Sequence, residues 1–430
     1  MIFSRNEIMP GVALNCLTGD KFKTSLFTVS LLSQLTREDA SSDAAVVSVL
    51  SRGSSSYPDM EKLSARMEEL FGSGVNPTVR KTGEIHSVGF ASSFPDAKYL
   101  PSDESVTGDV ISLTCEMLLN PVTRGGLLLP DYVEQEKAVL LDRIRSRIND
   151  KRTYAVSRCI EEMCAFEDYG VSSIGDEKQA ESIYYTKLTK HFRKLLSESP
   201  IEIFFVGSED PDEIAYRLSE SLFTLPRGNI NTDIGTDVRM NSVEEAPRYT
   251  EEVLDVGQGK LSIGFRLGEC MEERNVAAIS LFNAIFGGTV TSKLFMNVRE
   301  KLSLAYYASS FTDVAKGIML VNSGIDSSNY EKARDEIFAQ LEAVKRGEIS
   351  DYEFSAARAG LSSSYRMVSD SPQSLEGFYF QRMLEGEDIS PNDRIEDLMN
   401  VSKDDVVEVA NSVVCDQIYF LKGTEGSDNE

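Results

Sequence analysis

Histidine is almost missing from this chain. There are two in 430 residues, His86 and His191, and in the sequence each stands alone. A lone histidine is more often structural or exposed than a metal ligand. The six cysteines, Cys16, Cys115, Cys159, Cys164, Cys270 and Cys415, include no C-x-x-C pair. They read as reduced, buried thiols. Cys159 and Cys164 lie near one another, but no histidine accompanies them to make a zinc set. Long apolar runs are also lacking: none approaches the ~18 residues that span a bilayer. The first residues hold no basic segment followed by an apolar one, so no secretory leader is expected. The expected location is the cytoplasm, without membrane contact. Positive charge is scarce as well, with 44 Lys and Arg against 69 Asp and Glu, a net charge of −25. No basic cluster is present to displace counterions from a phosphate backbone, which excludes nucleic acid as an expected partner. The acidity reads first as a solubility feature and second as an attraction for basic peptides. No G-x-S-x-G turn presents a serine nucleophile.

What is present is a chain long enough for two or three cores. Residues 226–251 hold scattered Gly, Asn and Pro with sparse, aperiodic hydrophobics, and read as a linker. It separates a domain at 1–225 from one at 252–423, and the polar, acidic end at 424–430 reads as a disordered tail. The two halves resemble each other. Residues 22–29 and 261–267 are strand-like runs. Each is followed by a polar turn, an apolar helix (43–50 and 276–282), a glycine-bearing loop and a second helix (60–71 and 292–302). Asp131-Tyr132 and Asp351-Tyr352 each open a long helix, and each half closes on a strand ending in glycine, at 203–207 and 418–423. One large repeat of this kind marks a duplicated domain rather than a solenoid. Ile337, Leu341 and Val344 share a helix face that Gly347 caps, and Ser350 with Glu353 forms a capping box. Val133, Leu140, Ile144 and Ile148 make one apolar face of the long first-half helix. The expectation is an α+β fold of two homologous domains, each an antiparallel sheet covered by helices on one face.

The most informative stretch lies in the second half. Gly287-Gly288 is followed by Ser292-Lys293-Leu294-Phe295, then Val298-Arg299-Glu300-Lys301, then Leu304-Ala305-Tyr306. Lys293 is not preceded by glycine, so this is no phosphate loop. The order closely resembles the second-domain signature of the pitrilysin/insulinase-type zinc metallopeptidases, and the resemblance extends over nearly the whole chain. In active members of that family the first domain carries H-x-x-E-H on its first helix, with two histidines on zinc and a glutamate as general base. Matching Ser51-Arg52-Gly53-Ser54 to the family's F-K-G-T sets that motif on residues 44–48. Ala44 and Ser48 then replace the histidine ligands and Val47 replaces the base. On the later helix Glu134 and Glu136 survive, but Arg143 stands where the family's glutamate ligand belongs. None of these can hold zinc, and no histidine occurs before residue 86 under any alignment.

The resemblance implies that Arg299 and Tyr306 bind the substrate backbone near the scissile bond. An arginine fork and a phenol suit a peptide carbonyl or a developing oxyanion. It also implies a substrate-binding sheet edge, written here as Asn76-Pro77-Thr78, where Pro77 removes one N–H. The chain is similar to non-catalytic subunits of mitochondrial-processing-peptidase-like enzymes. The implied function is a subunit without a metal of its own, paired with a zinc-bearing homologue or with itself and helping to hold a peptide, the zinc sitting in the partner. The alternative is a non-enzymatic peptide-binding or scaffold protein of the same fold. An independent hydrolase with a relocated site is the third reading.

Overall fold

The computed structural model describes residues 1–101 and 105–423. The expected tail at 424–430 lies outside the described residues. The first half supplies strands β1 (Ile2–Met9), β2 (Val12–Thr18), β3 (Thr24–Gln34), β4 (Gly74–Thr82) and β5 (Ile85–Pro95), the short ribbon β6 (Thr123–Arg124) and β7 (Leu127–Leu128), and β8 (Ile201–Gly207). The second supplies β9 (Arg248–Leu254), β10 (Gly259–Arg266), β11 (Ala305–Asp313), β12 (Ile318–Ile325) and β13 (Val414–Gly423). The helices of the first half are α1 (Ala40–Leu50), α2 (Met60–Glu69), α3 (Thr107–Leu119), α4 (Pro130–Ser146), α5 (Lys151–Met163), α6 (Glu177–Glu181), α7 (Tyr185–Glu198) and α8 (Pro211–Ser221). Those of the second are α9 (Cys270–Glu273), α10 (Val276–Asn283), α11 (Tyr330–Lys345), α12 (Asp351–Val368), α13 (Pro372–Leu384), α14 (Pro391–Asn400) and α15 (Lys403–Ser412).

The duplication is written in the sheet topology. The first large sheet runs β1-β2-β8-β3-β5-β4 and the second β11-β12-β10-β13-β9. With β1 set aside, one order is the other. Neither sheet is wholly antiparallel as expected, since β2 pairs β8 in parallel and β9 pairs β13 in parallel. The physical reason is the long helical crossover, which returns the closing strand beside the first strand in the same direction. β9 begins at Arg248, so the last residues of the expected linker are already paired strand.

The chain forms two compact units, and each takes in a segment from the other half of the sequence. One unit is Met1–Arg145, Val171–Gly235 and Asp370–Gln381. The other is Ser146–Gly170, Thr236–Ser369 and the chain from Arg382 onward. These exchanged segments explain a second departure from expectation: both faces of each sheet are covered. Successive strand residues point to opposite faces. In the first unit Phe27, Val29, Ile203 and Phe205 enter the main core with α1, α3 and α7. Thr28 and Phe204 face the other way, meeting Glu376 (3.2 Å) and Phe380 (6.0 Å between ring centroids) of α13. Arg80 on β4 holds Glu376 through two 2.9 Å bonds and stacks on Phe380. In the second unit Leu261, Ile263 and Phe265 join α10, α11 and α15, while Leu320, Tyr419 and Leu421 pack on Ala155, Cys159 and Met163 of α5. Two-sided burial is why these strands read as continuous apolar runs rather than alternating ones.

The segment 146–170 is fixed in its unit by charge. The fully buried Arg266 guanidinium donates to Asp416 (2.8 Å), to both oxygens of Glu167 (2.6 and 3.0 Å) and to the Met163 carbonyl (3.1 Å). Lys316 reaches Glu167 at 2.7 Å, and Arg248 reaches Asp416 at 2.9 Å. Burial alone pushes the Glu167 carboxyl up; hydrogen bonds from Arg266 and Lys316 outweigh it and hold the pKa below the usual range. Removing one member leaves the others as uncompensated buried charges. Arg266→Met is expected to cost about 3–5 kcal/mol, read as a lowered urea midpoint; an unchanged midpoint would show the network to be dispensable.

Candidate functional site

Ten of the eleven residues of α1, all but Ser48, are buried. A helix buried on nearly every side belongs in a core, and Ala44 and Val47 sit there, packed with the first sheet. Ser48, half-buried, donates its hydroxyl to the Ala44 carbonyl one turn back, at 3.1 Å. The three positions that match the family's zinc motif therefore present two hydrocarbon side chains and a hydroxyl bonded to its own helix. Beside the C-terminal end of α1, Arg52 lies 3.5 Å from Glu136 of α4, bonds Gln135 at 2.7 Å and stacks over Tyr132. Burial raises the Glu136 pKa, against the opposing charges of Arg52 and Arg143. Two guanidinium groups thus share the field of Glu136, and one of them, Arg143, occupies the matched ligand position itself. These residues do not fit a zinc ion. Among the described residues no group of three or more His, Cys, Asp and Glu is arranged to hold one.

The histidines do not stand alone, contrary to expectation. Both bind the same carboxylate, Asp43 on α1. His86 Nδ1 from β5 is 2.8 Å from Oδ2, and His191 Nε2 from α7 is 2.6 Å from Oδ1. Ser33 of β3 adds a longer contact at 3.3 Å. Asp43 and His86 are fully buried, and His191 is nine-tenths buried. Desolvation would raise the Asp43 pKa; the hydrogen bonds and charge of His191 and His86 overcome this and lower it. An ionised carboxylate only accepts, so each facing ring nitrogen carries a proton. The signal in the sequence was Asp43 itself, the one charged residue of α1. A charge in an otherwise uncharged, core-facing helix requires a partner, and two otherwise unexplained histidines were available.

Asn76 and Thr78 lie on β4, the edge of the first sheet, with Pro77 between them. Asn76 is exposed, and the Thr78 hydroxyl is buried with no hydrogen bond among the described residues. The corresponding edge of the second sheet is β11, which carries Tyr306. Its pairing with β12 jumps from Ala305–Ile325 to Tyr307–Gly324, so Tyr306 is the extra residue of a β-bulge and stands 63% exposed. A bulge re-aims a side chain and is common next to active sites. Arg299 also sits on an irregular element. Ala284–Gly288 and Leu294–Lys301 are π-helical, and the Leu302 amide bonds the Asn297 carbonyl five residues back at 3.1 Å. π-helical backbone is rare and often lies at functional sites. The guanidinium of Arg299 is about two-fifths exposed, stacked on Phe295 at 4.6 Å and 3.5 Å from Glu300. Lys293 is tied to Glu353 at 2.8 Å, and Asn297 to Gln340 at 2.8 Å, which fixes the wide helix. Gly287 is required by close approach: a Cβ there would meet the Ser310 hydroxyl oxygen at 2.5 Å and its amide nitrogen at 2.7 Å.

Such a duplicated α+β architecture, with the zinc positions filled by core residues, defines a metallopeptidase-type protein without its metal site. Residues 182–361 match the family model described as the peptidase M16 inactive domain. The chain is 30% identical over 419 residues to a "probable inactive metalloprotease YmfF" of Bacillus subtilis, covering 97% of each chain. It belongs to the M16, pitrilysin/insulinase-type, metallopeptidase family, among the inactive-type members. Among solved structures, a conserved protein from Enterococcus faecalis matches at 27% identity and TM-score 0.88, over 99% of this chain and all of that one. The peptidase M16 inactive domain from Pseudomonas fluorescens matches at 14% identity and TM-score 0.79 over the full length of both, a likeness of fold.

Asp43 sets a pH dependence. Its pKa in the folded chain lies below its unfolded value of about 3.9, so its stabilisation is complete above that value and is lost as pH falls through the folded pKa. Asp43→Asn is expected to be less stable at pH 7 by about 3 kcal/mol and to lose less stability than the parent between about pH 5 and pH 2. Parallel stability–pH curves for the two proteins would remove the role assigned to this carboxylate.

Proposed function

We propose that this chain is a non-catalytic subunit that pairs with an H-x-x-E-H-bearing homologue and helps to hold that enzyme's peptide substrate. The observation that carries the reading is a contrast. Of the positions matching the zinc motif, Ala44 and Val47 are core and Ser48 is bonded to its own helix, whereas Arg299 is partly exposed on a π-helical segment and Tyr306 is exposed at a β-bulge. Irregular backbone is retained against its energetic cost where it aims a side chain. A guanidinium and a phenol can each bind a peptide carbonyl and stabilise negative charge building on it. The acidic chain favours peptides carrying basic residues. The zinc and the hydrolytic step belong to the partner, and the complex works in the cytoplasm. Asn76 and Thr78 contribute a weaker edge for strand addition, because Pro77 offers no donor.

The test is cleavage of an unstructured basic peptide by the zinc-bearing homologue, alone and mixed with this chain. The mixture is expected to cleave faster. Arg299→Ala is expected to lower the mixed activity by about 10²-fold, the usual loss when one charge-stabilising donor is removed. Tyr306→Phe should cost less, and complex formation on a sizing column should be unchanged in both. Equal rates with and without this chain would reject the subunit role and favour a scaffold that binds peptide without cleaving it.

A further inference from the structure

Within the second unit, on the sheet face that α5 covers, two cations meet at one aromatic ring. Arg152, in the first turn of α5, stacks on Tyr307 of β11 at 4.2 Å, and the Lys260 ammonium of β10 lies 5.9 Å from the centre of the same ring. Strand alternation puts these side chains on one face. Lys260 shares its side of β10 with Gly264, where a Cβ would touch Met163 and Cys159 of α5, and a Cβ on Gly324 of β12 would meet the Tyr307 ring. The partners of both cations are neutral: Arg152 donates to the Asn322 side-chain oxygen at 3.3 Å, and Lys260 donates to Gln258. Neither has a carboxylate within ion-pair distance among the described residues. Arg266, at the far end of the same strand, has two.

Asp150, whose charge also reaches Tyr307, is spent on the cap of α5. It accepts from the Arg152 and Thr153 amides, both at 3.2 Å, and from the Thr153 hydroxyl at 2.6 Å. Asn322 is only 6% exposed, and its oxygen also accepts from the Ser309 hydroxyl at 3.2 Å. Its Nδ2 and the Tyr307 hydroxyl donate no hydrogen bond among the described residues. Burial, and then the Arg152 charge, lower the Lys260 pKa, the direction expected of a cation that lacks an anion. Guanidinium, ammonium, carboxamide and phenol thus bring four kinds of donor together. With Asp150 counted, one positive charge is unmatched, which suits a monoanion, and a guanidinium fork matches a carboxylate. A chain of net charge −25 attracts basic peptides, and the carboxylate that a basic peptide still carries is its C-terminus. We infer that Arg152, Lys260, Tyr307 and Asn322 bind the C-terminal carboxylate of the peptide held by Arg299 and Tyr306. The inference rests on the peptide-holding role proposed above. It restricts that role to peptides whose free end lies close to Tyr306, the neighbour of Tyr307 on β11.

The test has two arms, both on the full chain without a partner. In the first, N-acetyl-L-alanine and N-acetyl-L-alaninamide are titrated into carbon-13-lysine-labelled protein to about 20 mM, a range that detects millimolar dissociation constants. The Lys260 Cε signal is the one that Lys260→Arg removes. The acid is expected to move it saturably and the amide to leave it still. No saturable movement with the acid, or an equal movement with the amide, overturns the carboxylate site whatever becomes of the peptide-holding role. Movement by inorganic phosphate at lower concentration than by the acid overturns it too. In the second arm, fluorescence anisotropy compares one unstructured basic peptide as the free acid, as the C-terminal amide, and as an amide carrying one internal glutamate. The free acid is expected to bind about tenfold tighter than the amide. Lys260→Gln should erase most of that difference with a melting temperature near the parent's, and Lys260→Arg should retain it. A difference that persists in Lys260→Gln overturns the assignment. An internal glutamate that restores affinity to the amide assigns the carboxylate to a side chain and overturns the C-terminal one. Binding of neither peptide, with the first arm positive, would instead reject the peptide-holding role, and with it the peptide as the ligand.

Discussion

A single ionised carboxylate inside an otherwise uncharged, buried helix constrains the first unit more than any other contact. Asp43 cannot lie in the core with its charge uncompensated, because desolvating an isolated anion costs far more than a domain's whole stability margin. Its two oxygens are met by His86 from β5 and His191 from α7. One side chain thereby ties α1 both to the sheet beneath it and to a neighbouring helix. In an active relative a metal would join helices at this end of the fold. Here the link is made by hydrogen bonds a residue away from the positions that match the metal motif, which have become hydrocarbon and hydroxyl. In this chain α1 is cross-linked by hydrogen bonds to a strand and a helix.

The second unit solves the same architectural problem differently. Its corresponding helix, α10, carries no charge at all, and its sheet is locked instead by Arg266 with Glu167, Asp416 and Lys316. Glu167 lies in the segment contributed by the first half of the sequence, just as Glu376, held by Arg80, lies in the segment contributed by the second half. In both units a charged pair pins an exchanged segment to the sheet face away from the main core. The repetition of the device follows from geometry. A sheet whose first face is filled by its own helices still exposes a second apolar face, and covering it with a short helix demands an anchor to set the register.

Much of this was legible in the residues. The repeat of strand, apolar helix and glycine loop identified the duplication, and the capping box at Ser350 and the cap at Gly347 fixed the ends of two helices where they occur. The absence of any histidine before residue 86 was enough to expect no H-x-x-E-H motif on the first helix. What could not be read was long-range. The parallel pairs depend on which strand returns beside which, and the exchanged segments depend on where helices dock after folding; neither leaves a local pattern. The histidine pair was missed because His86, Asp43 and His191 lie in three separate elements, so that their meeting depends on tertiary packing. The π-turn under Arg299 was hidden for another reason: its apolar spacing is close to that of an α-helix, and the extra residue is accommodated by contacts, Lys293 with Glu353 and Asn297 with Gln340, that only the fold brings together.

The irregular backbone around Arg299 bears on whether the pair at 299 and 306 is a relic. A π-turn replaces the favoured hydrogen-bond register with a looser one, and a bulge leaves one residue of an edge strand unpaired. Neither improves packing by itself, and each is open to repair by deletion of one residue. A segment under no functional demand gains stability by such repair. The two irregularities flank one loop, each displaces one polar side chain into solvent, and Gly287 permits the close approach of Ser310 that the arrangement needs. The zinc positions show the opposite course: every polar group there has been buried, paired or turned back on its own helix. Two regions of one chain thus differ in opposite physical directions: the positions matching the zinc motif are packed inward or bonded to their own helix, whereas Arg299 and Tyr306 reach solvent.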